Sequence, residues 1–136
     1  MFGKVKFKKL IEPGQIGRVK TKNRMVKPAQ SMHFATDDGY VSDVNLAHYE
    51  VIAKSGVGLI LVEMAAVDYP IGHPSLKDLR IDEDRFVPSL SRLAELIHSY
   101  DVPTFLQITH CGPSHDPIEN TQARSSTTVS TTPRAR

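Results

Sequence analysis

The sequence contains a single cysteine, Cys111, among its 136 residues. One cysteine cannot form a disulfide within the chain, and it cannot supply the several thiolates of a cysteine-rich zinc or iron–sulfur site. We therefore predict no metal site in this sequence. No acid–base partner lies next to Cys111 in sequence, so we interpret it as a small buried thiol rather than a nucleophile.

Long apolar runs are also missing. No window approaches the roughly 18 consecutive apolar residues of a membrane-spanning helix. The N-terminus "MFGKVKFKKL" alternates lysine with phenylalanine, unlike the charged end and apolar block of a secretion signal. We therefore expect no membrane partner and a cytoplasmic location.

Acidic residues are scarce at the N-terminus. Residues 1–27 hold nine Lys or Arg and one acid, Glu12, although the net charge of the whole chain is only +2. Because such a patch can bind phosphates, a small basic binding module for nucleic acid or an acidic partner is our alternative function. Solvated lysines on a hairpin explain the same pattern, and no aromatic-rich surface supports nucleic acid, so our main prediction has no nucleic-acid partner.

Large aliphatic residues become rare towards the C-terminus. Residues 113–136 contain only Ile118 and Val129 of this type, and eight of the last sixteen residues are Ser or Thr. Such a segment buries too little apolar surface to offset the entropy lost on ordering. We predict a folded domain over residues 1–113 and a disordered Ser/Thr-rich tail over residues 114–136.

What the sequence does contain is an alternation of strand and helix patterns. Apolar residues recur at helical spacing in two stretches, at Leu46, Tyr49 and Ala53, and at Phe86, Leu90, Leu93 and Ile97. The patterns indicate a hairpin in "IGRVKTKN" after a Pro13–Gly14 turn, a small strand in "RMVKP", a helix in "DVNLAHYEVIAKSG", a buried strand in "VGLILVE", a helix in "DEDRFVPSLSRLAELIHSYD" and a strand in "PTFLQIT". This order predicts an α/β fold with two right-handed crossover units between parallel strands.

Each predicted strand ends in residues unlike its apolar body, namely "KPAQSMH", "EMAAVDYP" and "QITHCGP". The carboxyl ends of parallel strands share a rim, where such folds bind their ligands. Small residues there let a flat ligand approach the backbone, and a glutamine offers both an acceptor and a donor. The rim candidates are Pro28, Ala29, Gln30, Glu63, Met64, Ala65, Gln107 and His110.

The polar candidates also have purely structural interpretations. Neighbouring backbone can satisfy Gln107, and single histidines such as His33 and His110 are more often packed or solvated than catalytic. His48 and His98 lie on predicted helices, and we interpret both as structural. No GxGxxG, P-loop or HExxH motif is present to decide among these interpretations.

Four stretches in series carry a family resemblance: "LIEPGQIGRVKTKNRMVKPAQSMH", "GVGLILVEMAAVDYPIG", "LRIDEDRFVPSLSRLAELIH" and "FLQITHCG". From about Leu10 to Pro113 they resemble the N-terminal part of the Old Yellow Enzyme family, the NADH:flavin oxidoreductases. "PAQSMH" is similar to the 2,4-dienoyl-CoA reductase-like branch. The resemblance implies the N-terminal portion, about three strands and two helices plus a capping hairpin, of an FMN-binding TIM (β/α)8 barrel.

The resemblance also implies a chemistry and a binding site. Members pass hydride from NAD(P)H through FMN to a small-molecule substrate, an α,β-unsaturated carbonyl or enoyl-CoA compound. By position, Pro28, Ala29 and Gln30 would lie along the isoalloxazine, Met64 and Ala65 would line the ring, and Gln107 would hydrogen-bond its pyrimidine edge. The family often has Ala where Cys111 stands, and Gly or Ala where Met64 stands.

Other functional parts of the family come from later strands. These are the substrate-anchoring and proton-donating residues, the phosphate site and, in the larger branch, the cysteines of an iron–sulfur cluster. We therefore assign no catalytic residue, and this sequence holds no iron–sulfur ligands. We expect the 136-residue chain to be truncated before most of the active site, to bind FMN weakly by itself and not to turn over.

Overall fold

The computed structural model describes residues 7–72 and 77–112, which form a parallel sheet with helices on one face and a hairpin before it. In chain order the elements are α1 (Lys8–Ile11), β1 (Gly14–Ile16), β2 (Val19–Thr21), β3 (Val26–Lys27), α2 (Asp43–Lys54), β4 (Leu59–Ala66), β5 (Leu79–Arg80), a 3-10 turn (Asp84–Phe86), α3 (Val87–His98) and β6 (Thr104–Thr109). The predicted order of strand, helix, strand, helix and strand is confirmed. The sequence patterns do not predict α1 or β5.

The hairpin consists of β1 and β2, which pair antiparallel from Gly14–Thr21 to Ile16–Val19. Its turn lies at Gly17 and Arg18, and Gly17 has a φ of 58°, a conformation that glycine adopts at little cost. The hairpin is therefore confirmed. Gly14, which the sequence assigns to a turn with Pro13, is instead the first residue of β1.

The sheet is built around β4, which has parallel partners on both edges. β6 pairs with one edge over Ile60–Ala66. β3 and β5 share the other edge, β3 beside Leu59–Ile60 and β5 beside Ala65–Ala66. A bulge interrupts the register of β4 and β6 between Val62 and Met64. This arrangement confirms that the three predicted strands are parallel.

Helix α2 begins where the sequence predicts, because Ser42 caps it. The Ser42 Oγ accepts a hydrogen bond from the Asn45 amide at 3.1 Å, and Asn45 Oδ1 accepts from the Ser42 amide at 3.0 Å. This reciprocal pair is a capping box, which satisfies two amides that the helix cannot.

Helix α3 begins at Val87, five residues after the start of its sequence pattern at Asp82. The acids before it are engaged elsewhere: Asp82 accepts two hydrogen bonds from the Arg80 guanidinium, at 2.9 and 2.7 Å. Bidentate pairs of this kind are among the stronger polar contacts in proteins. The helix begins only after these acids, with Pro88 in its first turn, where the missing N–H of proline costs no helical hydrogen bond.

The hydrophobic core lies between the sheet and the two long helices. Side chains from α2, α3 and β4 form it, and the spacing residues that predict the two helices are buried or half-buried. The buried core includes Leu46, Tyr49, Ala53, Ile60, Val62, Ala65, Leu79, Leu93, Ile97 and Val102. The two helices therefore pack against one face of the sheet.

The outer strand β6 leaves apolar side chains uncovered. Phe105 is 38% exposed and Ile108 is 67% exposed, although both lie in a sheet strand. No closed barrel is formed by residues 7–72 and 77–112.

Within the same residues, no helix is long and apolar enough to cross a membrane. The predicted tail, residues 114–136, lies outside the described residues.

Candidate functional site at the carboxyl ends of the strands

Met64 and Gln107 are register partners on β4 and β6, at the carboxyl ends of both strands. Met64 is half-buried and Gln107 is exposed. The side-chain amide of Gln107 makes no hydrogen bond with any residue in the described part of the chain. Neighbouring backbone therefore does not satisfy the Gln107 side chain, although the sequence analysis allows that interpretation. Its donor and acceptor are open to a ligand rather than satisfied by backbone.

The segment after β3 approaches this pair from the other edge of β4. Lys27 pairs with Ile60, so Pro28 lies near the middle of β4 rather than level with Met64. Four residues later, the Met32 amide donates to Glu63 Oε2 at 3.0 Å. The segment therefore runs along β4 towards its carboxyl end, and Met32 reaches the level of the Met64–Gln107 pair.

Pro28, Ala29 and Gln30 are all accessible on this segment. Pro28 and Gln30 are exposed, and Ala29 is half-buried. Gln30 makes no hydrogen bond with residues 7–72 or 77–112. A proline, a small residue and a free amide thus lie in succession, which gives a flat ligand both a close approach and a polar partner.

Ala65 lies differently from its neighbour Met64. Its side chain is fully buried in the core against the helices. Successive side chains of a strand point to opposite faces, so Met64 and Ala65 cannot both line the same surface. Ala65 can contribute only its backbone to the rim.

Glu63 is not a rim residue. It lies at the bulge inside β4, it is fully buried, and it faces α2 rather than solvent. Asn45 Nδ2 donates to Glu63 Oε1 at 2.9 Å, and the Glu63 amide donates to the Tyr49 hydroxyl at 2.8 Å. Burial raises the pKa of the Glu63 carboxyl, and the hydrogen bonds from Met32 and Asn45 oppose that rise.

A second buried acid, Asp78, lies beside the same segment and is not among the sequence candidates. Its side chain is 1% exposed, and its Oδ1 accepts from Ser31 Oγ at 2.6 Å and lies 3.1 Å from His33 Nδ1. The sequence analysis misses Asp78 because it precedes a strand of only two residues, β5, which is too short to show an alternating pattern. His33 is thereby placed next to the predicted site, and 55% of its side chain is exposed.

His110 and Cys111 follow β6 at the same end of the sheet. His110 Nε2 lies 3.6 Å from Asp68 Oδ2, and the Cys111 amide donates to the Gly72 carbonyl at 2.9 Å. These contacts tie the residues after β6 to those after β4. They favour a structural interpretation of His110, and they place Cys111 half-buried beside the rim.

The predicted structural histidine His48 is held among aromatic rings on α2. Its ring lies 5.7 Å from that of Phe34 and 5.2 Å from that of Tyr49, both edge-on. Burial lowers the pKa of His48, so the neutral imidazole is favoured. This environment fits the packed role that the sequence predicts.

We expect the Cys111 thiol to react slowly with alkylating agents at neutral pH. Burial raises its pKa, and only the thiolate is nucleophilic. The rate of labelling by iodoacetamide, followed at the Cys111 peptide by mass spectrometry, should reach half its maximum above about pH 8.5, the usual value for a free cysteine. Protein unfolded in urea is the control, and a midpoint at or below that of the unfolded protein would contradict the prediction.

The basic N-terminal region is only partly described. Lys9 Nζ lies 3.2 Å from Glu12 Oε2, and Arg24 lies 4.0 Å from the same oxygen. Both basic side chains are mostly exposed, so the ion pairs add little stability. Binding of an acidic partner by residues 1–27 stays a prediction.

Together these features define a class of protein: a parallel α/β sheet that presents accessible amides and a methionine at the carboxyl ends of its strands, as ligand-binding barrels do. Residues 9–135 match the NADH:flavin oxidoreductase / NADH oxidase family, and the chain belongs to that family. The match extends to residue 135 and thus includes most of the segment that composition separates as a tail.

Two curated relatives illustrate the match. An NADH oxidase from Thermoanaerobacter brockii is 40% identical over 106 residues, which are 78% of this chain and 16% of the relative. An NADPH dehydrogenase from Clostridium acetobutylicum is 32% identical over 108 residues, 79% of this chain and 32% of the relative. The chain therefore spans less than a third of either relative.

Solved structures agree with the sequence matches. A 2-naphthoyl-CoA reductase in complex with 2-naphthoyl-CoA superposes with a TM-score of 0.78 at 25% identity, over 81% of this chain and 17% of that one. The old yellow enzyme from Trypanosoma cruzi gives 0.73 at 27% identity, over 82% and 29%. The described residues are thus part of a TIM-barrel fold, as the resemblance implies.

Proposed function

We propose that the protein is an FMN-dependent oxidoreductase of the ene-reductase type. The observation that carries the proposal is the Met64–Gln107 pair, which puts a free amide beside a half-buried apolar side chain at the carboxyl end of the sheet. An isoalloxazine needs this combination, because its flat ring is apolar and its pyrimidine edge both donates and accepts hydrogen bonds. Family membership supports the same cofactor.

Each rim residue would contact a different part of the flavin. Gln107 would hydrogen-bond the pyrimidine edge, Met64 would pack against the ring, and the remaining contacts would come from Pro28, Ala29, Gln30 and the backbone of Ala65. The chemistry that FMN supplies is the transfer of hydride from NAD(P)H to the β-carbon of an activated alkene. The chain's own residues bind and orient the ring, which fixes the face that a substrate can reach.

We propose an α,β-unsaturated carbonyl or enoyl-CoA compound as the substrate. The neighbour bound to 2-naphthoyl-CoA supports a CoA thioester, and the NADH and NADPH enzymes among the relatives support a nicotinamide reductant. We assign no residue of the described part to the substrate, because the resemblance implies that the substrate-anchoring residues of the family come from later strands.

We expect Gln107→Ala to raise the FMN dissociation constant about tenfold, the effect of losing roughly 1.4 kcal/mol of hydrogen bonding. Fluorescence titration of the purified apoprotein with FMN measures this constant, at FMN concentrations high enough to saturate weak binding. Gln15→Ala is the matched control, because Gln15 is an exposed glutamine on the hairpin, away from the rim. Equal losses in both variants, or a wild-type protein that binds no FMN, would overturn the proposal.

We further propose that a polypeptide of these 136 residues alone retains FMN weakly and does not turn over. The six proposed contacts cover one edge and one side of the ring, and none of them addresses the phosphate, the most highly charged group of FMN. Purified protein should be nearly colourless and inactive with NADPH and an enone. A yellow, active preparation would show that the six contacts suffice or that assembly supplies the rest.

A further inference from the structure

Two buried carboxylates hold three consecutive residues of the segment that follows β3. Ser31 Oγ donates to Asp78 Oδ1 at 2.6 Å, the Met32 amide donates to Glu63 Oε2 at 3.0 Å, and His33 Nδ1 lies 3.1 Å from Asp78 Oδ1. Asp78 thus binds the side chains of Ser31 and His33, and Glu63 binds the backbone amide of Met32, the residue between them.

The two acids come from neighbouring parts of the sheet. Glu63 lies in β4, immediately before Met64, and Asp78 immediately precedes β5. Because Leu79 pairs with Ala65, Asp78 lies beside Met64, whose partner on the other edge is Gln107. The acids therefore lie at the level of the proposed flavin contacts.

Both carboxylates are buried, so water cannot replace the hydrogen bonds that they accept from this segment. Glu63 is fully buried, and a buried carboxylate is stable only while its hydrogen bonds are made. Asp78 Oδ2 is also buried and has no partner among residues 7–72 and 77–112, so Ser31 and His33 are the partners that Asp78 has there. Loss of either contact leaves the Asp78 carboxylate less satisfied.

The backbone of the segment is strained at the same place. His33 has a φ of 56°, in the left-handed region that residues other than glycine rarely adopt. Such a conformation persists only where the surroundings determine it. Asp78 holds the His33 side chain and Glu63 holds the preceding Met32 amide, while the Ser42 hydroxyl donates to the following carbonyl, that of Phe34.

We propose that Glu63 and Asp78 are positioning residues, which fix the segment from Pro28 to His33 and thereby set where Gln30 meets the flavin. This inference rests on the proposed function, because the flavin is the ligand that the segment would contact. Asn45 donates to the Glu63 carboxylate from the side of α2, so the helix layer is coupled to the site through one carboxylate.

The first test changes the acids themselves. In Glu63→Gln, one of two acceptor oxygens becomes a donor, so the side chain cannot accept from both Met32 and Asn45. Asp78→Asn likewise weakens the contact with His33. We expect each variant to raise the FMN dissociation constant about tenfold and to shift the midpoint potential of bound flavin. Hydrogen exchange at the Met32 amide should become faster in Glu63→Gln even without FMN.

Tyr49→Phe is the matched control. It removes the hydroxyl that accepts from the Glu63 amide, and it leaves the contact between Glu63 and Met32 in place. This variant should lose thermal stability and keep the flavin potential and the Met32 exchange rate of the wild type. If Tyr49→Phe changes these two quantities as much as Glu63→Gln does, the effect is general loosening and the inference is wrong.

A second variant serves if the acid substitutions do not fold. Ser31→Ala with His33→Ala removes both side-chain partners of Asp78 and leaves both acids in place. We expect the same weakening of FMN binding from this double variant. Folded variants with unchanged flavin affinity and potential would overturn the inference alone, whereas a wild-type protein that binds no FMN would overturn the proposed function and the inference with it.

Discussion

Replacing Phe86 with alanine is expected to lower the free energy of unfolding by about 4 kcal/mol, as for other fully buried aromatic residues. Phe86 has no exposed surface. Its ring lies 4.7 Å from that of Tyr40, and the guanidinium groups of Arg80 and Arg85 lie over it at 4.6 and 4.9 Å. Alanine would leave a cavity and remove the surface on which both cations rest.

Urea denaturation of the purified protein measures this loss, and hydrogen exchange of peptides within residues 77–100 assigns it to this region. Val87→Ala is the control, because Val87 is the next residue and is 49% exposed. Its effect should stay within about 0.5 kcal/mol. Similar losses in the two variants would show that Phe86 does not pack as the structure has it.

Gly58→Ala is expected to cost about 3 kcal/mol, at the upper end of the range for overpacking. A Cβ at Gly58 would overlap the Asn23 carbonyl oxygen, which belongs to the backbone and cannot rotate away. The Gly58 amide also donates to the Met25 carbonyl at 2.9 Å. The substitution would therefore push the residues before β3 away from the start of β4.

Gly56→Ala is the comparison variant, because it introduces backbone strain without a steric clash. Gly56 has a φ of 87°, and a Cβ there would meet no atom within 4 Å. Its substitution should cost only the strain of a left-handed residue, about 1 kcal/mol. We expect Gly58→Ala to exceed Gly56→Ala in denaturation experiments and to increase hydrogen exchange of the Val26 and Lys27 amides. The reverse order of stabilities would contradict the described packing.

Glu63 is a residue whose position at the site could not be predicted from the sequence. An acid after an apolar run is typical of a strand that ends at a rim, and the sequence interpretation places Glu63 there. The strand instead continues to Ala66 through a bulge, which turns Glu63 towards α2. A bulge inserts one extra residue and has no sequence signature of its own. After it, each side chain of the strand lies on the opposite face from the one that simple alternation predicts.

The sequence by itself determined the two helices, the hairpin and the parallel strands. Local periodicity carries that information, because Leu46, Tyr49 and Ala53 must share one face of any helix that they form. It also determined the family, since four motifs stand in order along the chain. What only the tertiary structure decided is which side chains meet: Asp78 with Ser31 and His33, and Met64 with Gln107. Such contacts join residues 43 to 47 positions apart, and their geometry depends on strand register and on the bulge, which local patterns do not encode.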